Sequence, residues 1–200
     1  MKIIKKWELC LLFGLVVTIL LSNISFAAEC KTIRKSVLRL HILANSDSDA
    51  DQKLKLQVRD RLLKEGGDLF SGLKTEQAAR TAAKADITKL QTAAEDEIKK
   101  QGYSYPVKVE VAKSYFNTRT YDTVTLPAGE YEAVRVLIGN AEGHNWWCVM
   151  FPPMCLPAAE PDKKIEDVLS QNGTEIVENK PKYEIRFKTV ELIEGIMKNF

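Results

Sequence analysis

The first clear pattern along the chain is a strand with one wholly apolar face. The apolar face carries Leu38, Leu40, Ile42 and Ala44, and the other face carries Val37, Arg39, His41 and Leu43. Successive side chains of a strand point to opposite faces, so this alternation predicts a β-strand that packs one side against a core.

Two helices are predicted after this strand. Ser48 with Asp51, or the pair one residue further on, forms a capping box for a helix over residues 50–64. A second helix is predicted from its cap at Thr75 to Lys100, with a stripe of apolar residues at helical spacing. The connection between the two helices contains Gly66, Gly67 and Gly72.

From residue 107 the pattern changes to a period of two, which is typical of strands. Strands are predicted over residues 107–112, 115–126 and 131–138. Residues 139–143 then lead to the next strand, most simply as a hairpin.

The carboxyl-terminal part of the chain has weaker signals. Residues 165–171 predict a short helix, and residues 172–181 resemble a disordered tract. Residues 183–188 alternate like a strand, and a last helix is predicted from Val190 onward.

The run from Gly143 to Cys155 is the most apolar segment outside the amino terminus. It reads GHNWWCVMFPPMC and has almost no polar side chain between Asn145 and Pro152. Trp146 and Trp147 are consecutive, so in a strand they point to opposite faces and both faces must be covered. The run is therefore a central strand, or a strand that is buried half in the fold and half in a partner.

These elements predict an α+β fold. We expect a mostly antiparallel mixed β-sheet with two main helices packed on it, as a two-layer sandwich. The chain has 200 residues and is 45% hydrophobic, which suits one domain with a sizeable core. We assign residues 29–200 to that domain.

The amino terminus predicts export. Lys2, Lys5 and Lys6 precede an apolar run from Leu9 to Leu21, and small residues follow at positions suited to cleavage. Residues 1–28 are therefore interpreted as a signal peptide, with an uncleaved membrane anchor as the alternative.

The charge of the chain gives no reason to expect a nucleic-acid partner. The formal net charge is +2, and the three lysines near the start, set against Glu8, account for it. The body of the protein is therefore neutral, and no basic stripe with interleaved aromatic residues occurs.

Three cysteines remain after the signal segment, and two of them lie close together. Cys148 and Cys155 either form a disulfide bond across the Pro152-Pro153 turn or are small buried apolar residues. No histidine or cysteine stands at the paired short spacing of a structural zinc site, so we expect no metal or other cofactor.

Four runs resemble the stage II sporulation protein R family of endospore-forming bacteria. They are RLHILANSDSDADQKLKLQVRD (Arg39–Asp60), LPAGEYEAVRVLIG (Leu126–Gly139), NWWCVMFPPMC (Asn145–Cys155) and EIRFKTVELIEG (Glu184–Gly195). Their joint occurrence in this order covers the region from about residue 37 to the end of the chain.

The resemblance implies a secreted signalling protein and not an enzyme. In that family the forespore exports the protein into the space between the forespore and mother-cell membranes. There it activates a membrane-embedded aspartyl protease that processes pro-sigma-E. This resemblance implies that protease as the partner, with a membrane contacted only through the amino-terminal segment or through the partner.

Polar residues that flank the apolar strands are the candidate partner-binding surface, since irregular loops on a rigid scaffold commonly carry binding. The candidates are Arg39, His41, Asn45, Ser46, Asp47, His144 and Asn145, together with Trp146 and Trp147. An open alternative is that Asn45–Asp47 only forms a turn and a helix cap.

Two other functions are weighed against this one. His144 and Cys148, joined by His41 and Asp47, could form a hydrolase site, although an apolar setting makes a thiol inert. Exposed tryptophans could instead stack on sugars in a module that binds carbohydrate or the cell envelope.

Overall fold

The computed structural model describes residues 6–154 and 164–197. The helices within these ranges are α1 (Lys6–Ser36), α2 (Asp49–Phe70), α3 (Glu76–Ala85), α4 (Ile87–Lys100), α5 (Gln171–Glu178) and α6 (Lys180–Met197). The strands are β1 (Leu38–Leu43), β2 (Val107–Phe116), β3 (Arg119–Tyr121), β4 (Val124–Leu126), β5 (Gly129–Ile138) and β6 (Asn145–Phe151). A 3-10 turn, Ile165–Asp167, precedes α5.

Four strands form the central sheet, in the order β2, β5, β1, β6. β1 runs parallel to β5, whereas β1 with β6 and β2 with β5 are antiparallel. A parallel pair needs a long crossover connection, and the three helices and three strands between β1 and β5 provide it. β3 and β4 pair in a separate two-stranded sheet. The predicted α+β class, with a mixed and mostly antiparallel sheet, is confirmed.

The predicted hairpin between the strands now labelled β5 and β6 is wrong. β1 lies between them, so residues 139–144 cross the end of β1 instead of forming a tight turn. Gly143 permits this crossing, because a Cβ atom there would come within 2.2 Å of the Ser46 carbonyl oxygen. β6 is consequently an edge strand of this sheet and not a central one. Alternation identifies the face of each side chain but not the neighbour of each strand.

One face of the sheet carries the larger apolar core. Leu38, Leu40 and Ile42 of β1 pack there against α2, α3 and α4, with Val134 and Val136 of β5 beside them. All five of these side chains are buried. The face that the sequence marks as wholly apolar is therefore the face that the three helices cover.

A second apolar cluster lies on the opposite face. The second half of α1, together with α5 and α6, contributes Phe26, Ile33 and Val177, which pack with Phe116 and Tyr131 of the sheet. The predicted two-layer sandwich does not include this helical layer, of which the sequence pattern indicates only the end of α6 from Val190 onward.

The two predicted helices differ in extent from the observed ones. Ser48 caps α2 by accepting a hydrogen bond from the Asp51 amide, as predicted, and Thr75 caps α3. α2 continues through Gly66 to Phe70, and glycine suits this position because a Cβ atom there would lie 2.7 Å from the Met150 side chain. The predicted helix 75–100 is two helices in the structure, α3 and α4, which meet at Asp86.

Two predictions for the carboxyl-terminal part are wrong, whereas the last helix predicted from Val190 is confirmed as the end of α6. Residues 172–181 are largely helical instead of disordered, and residues 183–188 lie in α6 instead of a strand. Tyr183 and Phe187, four residues apart, both pack their rings against Phe26 of α1. Ile185, which strand alternation places in the core, is 82% exposed. Residues 183–188 are therefore helical because a helix brings Tyr183 and Phe187 to the same side, where both contact α1.

The predicted boundary at residue 28 falls inside α1. Trp7 and Phe13 in its first half are exposed, whereas Phe26, Cys30 and Ile33 belong to the core. Arg34 forms an ion pair with Glu194 at 2.8 Å and donates a hydrogen bond to the Ala128 carbonyl oxygen. Among the described residues, no helix is both long and apolar enough for a membrane span. The signal peptide or anchor stays a prediction.

Candidate functional site

Half of the second sheet face has no helix over it among residues 6–154 and 164–197. Pairing between neighbouring strands defines three rows that cross the sheet from β2 to β6. The covered row contains Ala112, Ala133, Arg39 and Val149. The next row contains Glu110, Arg135, His41 and Trp147, and the last contains Lys108, Leu137, Leu43 and Asn145. We call these last two rows the sheet platform, and every residue in them is partly or fully exposed.

Three predicted site residues, His41, Asn145 and Trp147, lie together on the sheet platform. Nε2 of His41 lies 2.6 Å from Oδ1 of Asn145, which joins β1 to the start of β6. The His41 ring also lies 6.1 Å from the Trp147 ring, measured between centroids. The register of an antiparallel pair brings such facing side chains into contact.

The β2 side of the sheet platform is charged. Arg135 donates a hydrogen bond to Glu110 at 2.9 Å, and Lys108 contacts the other carboxylate oxygen of Glu110 at 2.7 Å. These two cations share one carboxylate, so this side of the sheet platform carries a net positive charge. Those contacts hold the pKa of Glu110 below its usual value, with the hydrogen bond from Lys108 as the largest cause.

The two tryptophans of β6 lie on opposite faces of the sheet, as predicted. The guanidinium carbon of Arg119 lies 4.1 Å from the centre of the Trp147 ring, and that of Arg59 lies 4.4 Å from the Trp146 ring. Each indole is thus covered by a cation and stays only partly exposed. By contrast, Cys148 to Phe151 in the second half of β6 are buried.

Three nitrogen atoms of one platform row are buried and have no hydrogen-bond partner among the described residues. They are Nε of Arg135, Nδ1 of His41 and Nε1 of Trp147, from three adjacent strands. An unmet buried polar group costs about 1 to 3 kcal/mol. The row therefore carries unsatisfied hydrogen-bonding capacity next to the solvent.

Arg39 lies beneath the sheet platform in the covered row and is fully buried. Its guanidinium carbon lies 4.1 Å from the centre of the Phe116 ring and 4.9 Å from that of Tyr131. It donates hydrogen bonds to the Cys148 carbonyl oxygen, at 3.3 Å, and to the Tyr121 hydroxyl. Arg39 thus holds the aromatic residues below the sheet platform and does not itself present a surface to a partner.

The predicted residues Asn45 and Ser46 bond mainly to their own part of the chain. Asn45 accepts a hydrogen bond from the Asn140 amide at 3.0 Å and donates one to Asp51 at 2.8 Å. Ser46 donates to Asp51 as well, at 2.6 Å. These bonds favour the turn-and-cap interpretation for both residues.

Asp47 and His144 form an exposed pair at one corner of the sheet. The Asp47 carboxylate accepts a hydrogen bond from the His144 amide at 2.6 Å and also contacts the His144 ring. Next to them, the buried Lys55 ammonium donates to the His144 carbonyl oxygen at 2.8 Å. Burial lowers the pKa of Lys55.

The electrostatic setting of His41 favours its neutral form. Burial is the largest cause that lowers its pKa, and the positive charges of Arg135 and Arg39 act in the same direction. The hydrogen bond to Asn145 opposes them. His41 is therefore a hydrogen-bonding group of the sheet platform at neutral pH.

The hydrolase alternative needs a free thiol at Cys148. Cys148 is instead disulfide-bonded, and a disulfide sulfur provides no thiolate nucleophile. Cys10 and Cys30 are free, and Cys155, the remaining cysteine of the four, lies outside the described residues. The pairing of Cys148 with Cys155 thus stays a prediction. Within residues 6–154 and 164–197, no three His, Cys, Asp or Glu side chains gather as metal ligands.

A family model described as Stage II sporulation protein R (spore_II_R) matches residues 34–160. The chain belongs to the stage II sporulation protein R family. The match contains β1 to β6 and both rows of the sheet platform.

One relative within the stage II sporulation protein R family is the protein of that name from Bacillus subtilis (strain 168). It is 39% identical over 123 residues, which are 62% of this chain and 55% of the relative. The matched region thus spans little more than half of the length of that relative. No solved structure matches the chain.

Several platform residues of this family member are absent from the sequence-based candidates. They are Lys108, Glu110, Arg135, Leu137 and Leu43, with Arg119 at the border. Leu43 and Arg135 each follow the alternation of their strand and look like ordinary strand residues. Only the strand order, with β1 between β5 and β6, places them in one surface.

Proposed function

We propose that this protein is an intercompartmental signal in endospore formation. It is exported from the forespore into the space between the two membranes, where it activates the membrane-embedded aspartyl protease that processes pro-sigma-E. It acts by docking and breaks no bond itself. Membership in the stage II sporulation protein R family and the predicted export segment support this proposal.

The observation that carries the docking role is the sheet platform. A sheet face that is half covered by helices and half open, with unmet polar nitrogens and partly exposed leucines, is suited to receive another protein. The hydrolase alternative loses its proposed nucleophile in the disulfide of Cys148.

Activation by docking also sets an energetic requirement. A ligand shifts its target toward the active state only if it binds that state more tightly than the inactive one. A tenfold preference corresponds to about 1.4 kcal/mol, which a few well-placed contacts provide.

The test is reconstitution of the full chain with the candidate protease and its precursor substrate in vesicles. We expect substrate cleavage only when all three proteins are present. Cleavage that is independent of this chain, or cleavage by this chain without the protease, would contradict the proposal. The matched control is the same reaction with a protease variant that lacks its catalytic aspartates.

Binding to envelope carbohydrate is a second candidate, since Trp146 and Trp147 are partly exposed. Arginine side chains lie over both rings, at 4.4 and 4.1 Å from the ring centres, and occupy the surface on which a sugar would stack. Acrylamide quenching of tryptophan fluorescence tests this function. Protection by envelope polysaccharide would support it, and protection by the protease alone would favour the activator.

A further inference from the structure

We infer that the sheet platform is the partner's docking surface and that it receives an extended protein segment carrying a carboxylate beside apolar side chains. This inference rests on the proposed function and names the surface and the partner chemistry within it. Charge, unmet hydrogen bonds and exposed apolar area support it separately.

Charge complementarity selects an acidic segment. Three cations, Lys108, Arg135 and Arg119, lie on or beside the sheet platform, and Glu110 is the one carboxylate that the described part of the two rows contains. Within the part of the chain that the structure describes, Arg119 forms no ion pair and only stacks on Trp147. The guanidinium group of Arg119 can therefore bind both oxygens of a partner carboxylate, a paired geometry that arginine favours.

The unmet nitrogens indicate where the carboxylate binds. Nε of Arg135 and Nε1 of Trp147 each carry a hydrogen and need an acceptor, and they lie on either side of His41 in one row. Both atoms are buried, and the Arg119 side chain stacks on the Trp147 ring. When Arg119 moves to bind a carboxylate, the indole nitrogen opens and the acid gains a second donor.

Apolar contact completes the surface. Leu43 and Leu137 are register partners at the centre of the last row, and both are partly exposed. An extended segment that places apolar side chains over these leucines removes them from water, at about 25 cal/mol per Å² of apolar area. The partner segment therefore matches the sheet platform if its acidic side chains lie over the row of Arg135 and Trp147 and its apolar side chains lie over the row of Leu43 and Leu137.

A second copy of this chain is a poorer occupant. The two platforms in a symmetric dimer would present the same excess of positive charge to each other, and like charges that face each other weaken association. Dimer formation through this face is an outcome that the test reports.

The experiment uses the reconstituted protease reaction with full-length variants of this chain. We expect Arg119→Glu and Leu43→Asp each to raise the concentration of this chain that gives half-maximal protease activation at least about tenfold. Arg119→Glu places a negative charge opposite the acidic segment, and Leu43→Asp buries a charge under its apolar side chains. Lys84→Glu, the same charge change on an exposed residue of α3, should leave activation unchanged. Leu43→Met keeps an apolar side chain and should activate the protease at the same concentration as the wild-type chain.

Two readouts separate the outcomes. A photo-crosslinking amino acid at Leu137 should join the wild-type chain to the protease, and Arg119→Glu should reduce that product about tenfold. Equal activation by Arg119→Glu, Leu43→Asp and wild type, or crosslinks between two copies of this chain, would overturn the inference and leave the proposed function intact. No activation by folded wild type would refute the proposed function itself.

Discussion

The two halves of the second sheet face differ in what covers them. At one end, Phe26 and Ile33 of α1 pack with Tyr131 and Phe116, and all four side chains are buried. At the other end, His41 and Trp147 contact the edge of this cluster through the Phe116 ring but stay partly exposed, with the Arg119 side chain over Trp147. One pair of strands, β1 and β5, runs through both halves. The difference shows that the layer added by α1, α5 and α6, and not the strands themselves, decides which part of this face is core.

The largest effect is expected from removing the covering layer. Phe26→Ala deletes a ring that is 3% exposed and packs on Tyr183 and Phe187. We expect it to lower the free energy of unfolding by about 3 to 5 kcal/mol, as core phenylalanines do. Denaturant unfolding measures this loss. Trp7→Ala, in the exposed first half of α1, is the control and should leave the midpoint unchanged.

This prediction also bears on the boundary at residue 28. If the signal segment is cleaved after Ala27 or Ala28, Phe26 leaves the core with it. Mass determination of the exported protein, combined with its unfolding midpoint, distinguishes a domain that keeps this ring from one that has lost it.

The next comparison is between two leucines of the same strand. Leu40 is fully buried under α2–α4, whereas Leu43 belongs to the sheet platform. Leu40→Ala should cost about 2 to 4 kcal/mol of stability and Leu43→Ala about 1 kcal/mol or less. Thermal unfolding of both variants tests this, and equal losses would mean that the sheet platform is covered in solution.

A smaller effect is expected at Arg39, which separates the covered half from the sheet platform. Arg39→Lys keeps the charge but loses the planar group that stacks on Phe116 and bonds to Tyr121. We expect a loss of about 1 to 2 kcal/mol. Arg119→Lys, on the exposed surface, should change stability by less than about 0.5 kcal/mol. Similar losses of stability in both variants would show that the buried contacts of Arg39 contribute no more to stability than the exposed contact of Arg119.

The sequence predicts the faces of the strands better than their order. The alternation from Leu38 to Ala44 correctly separates the helix-covered face of β1 from the face with Arg39 and His41. Ser48 and Thr75 likewise mark helix starts through local bonds that the sequence contains. These signals depend on neighbours within a few residues.

Features that depend on contacts between distant parts of the chain cannot be predicted from such local patterns. The helical period of residues 183–187 is stabilised by Phe26, more than 150 residues away. The position of β1 between β5 and β6 likewise depends on pairing across most of the chain. For this reason the sequence identifies the candidate site only in part: His41, Asn145 and Trp147 are polar or aromatic residues that stand out in apolar strands, whereas Arg135 and Leu137 look like any strand residues.

The smallest effect is a pH dependence from His41. Its pKa in the folded chain lies below the unfolded value of 6.5, since burial disfavours the charged ring. The stability that the neutral ring contributes is therefore complete above about pH 6.5 and is lost as the pH falls toward the lower folded value. Thermal unfolding at about pH 7.5 and 5.5 should show a smaller acid shift in His41→Gln than in wild type. An identical shift would assign the acid sensitivity to other groups.

The place of β1 in the sheet has a consequence for the export that we propose. Its partners Ala133 and Val149 lie roughly a hundred residues further along the chain, a separation that slows closure of such a sheet. A chain that emerges amino end first leaves β1 without a sheet neighbour until β5 has followed, and without its second neighbour until β6 has followed. Under the proposed export, this topology would leave the central sheet incomplete until about three quarters of the chain had crossed the membrane.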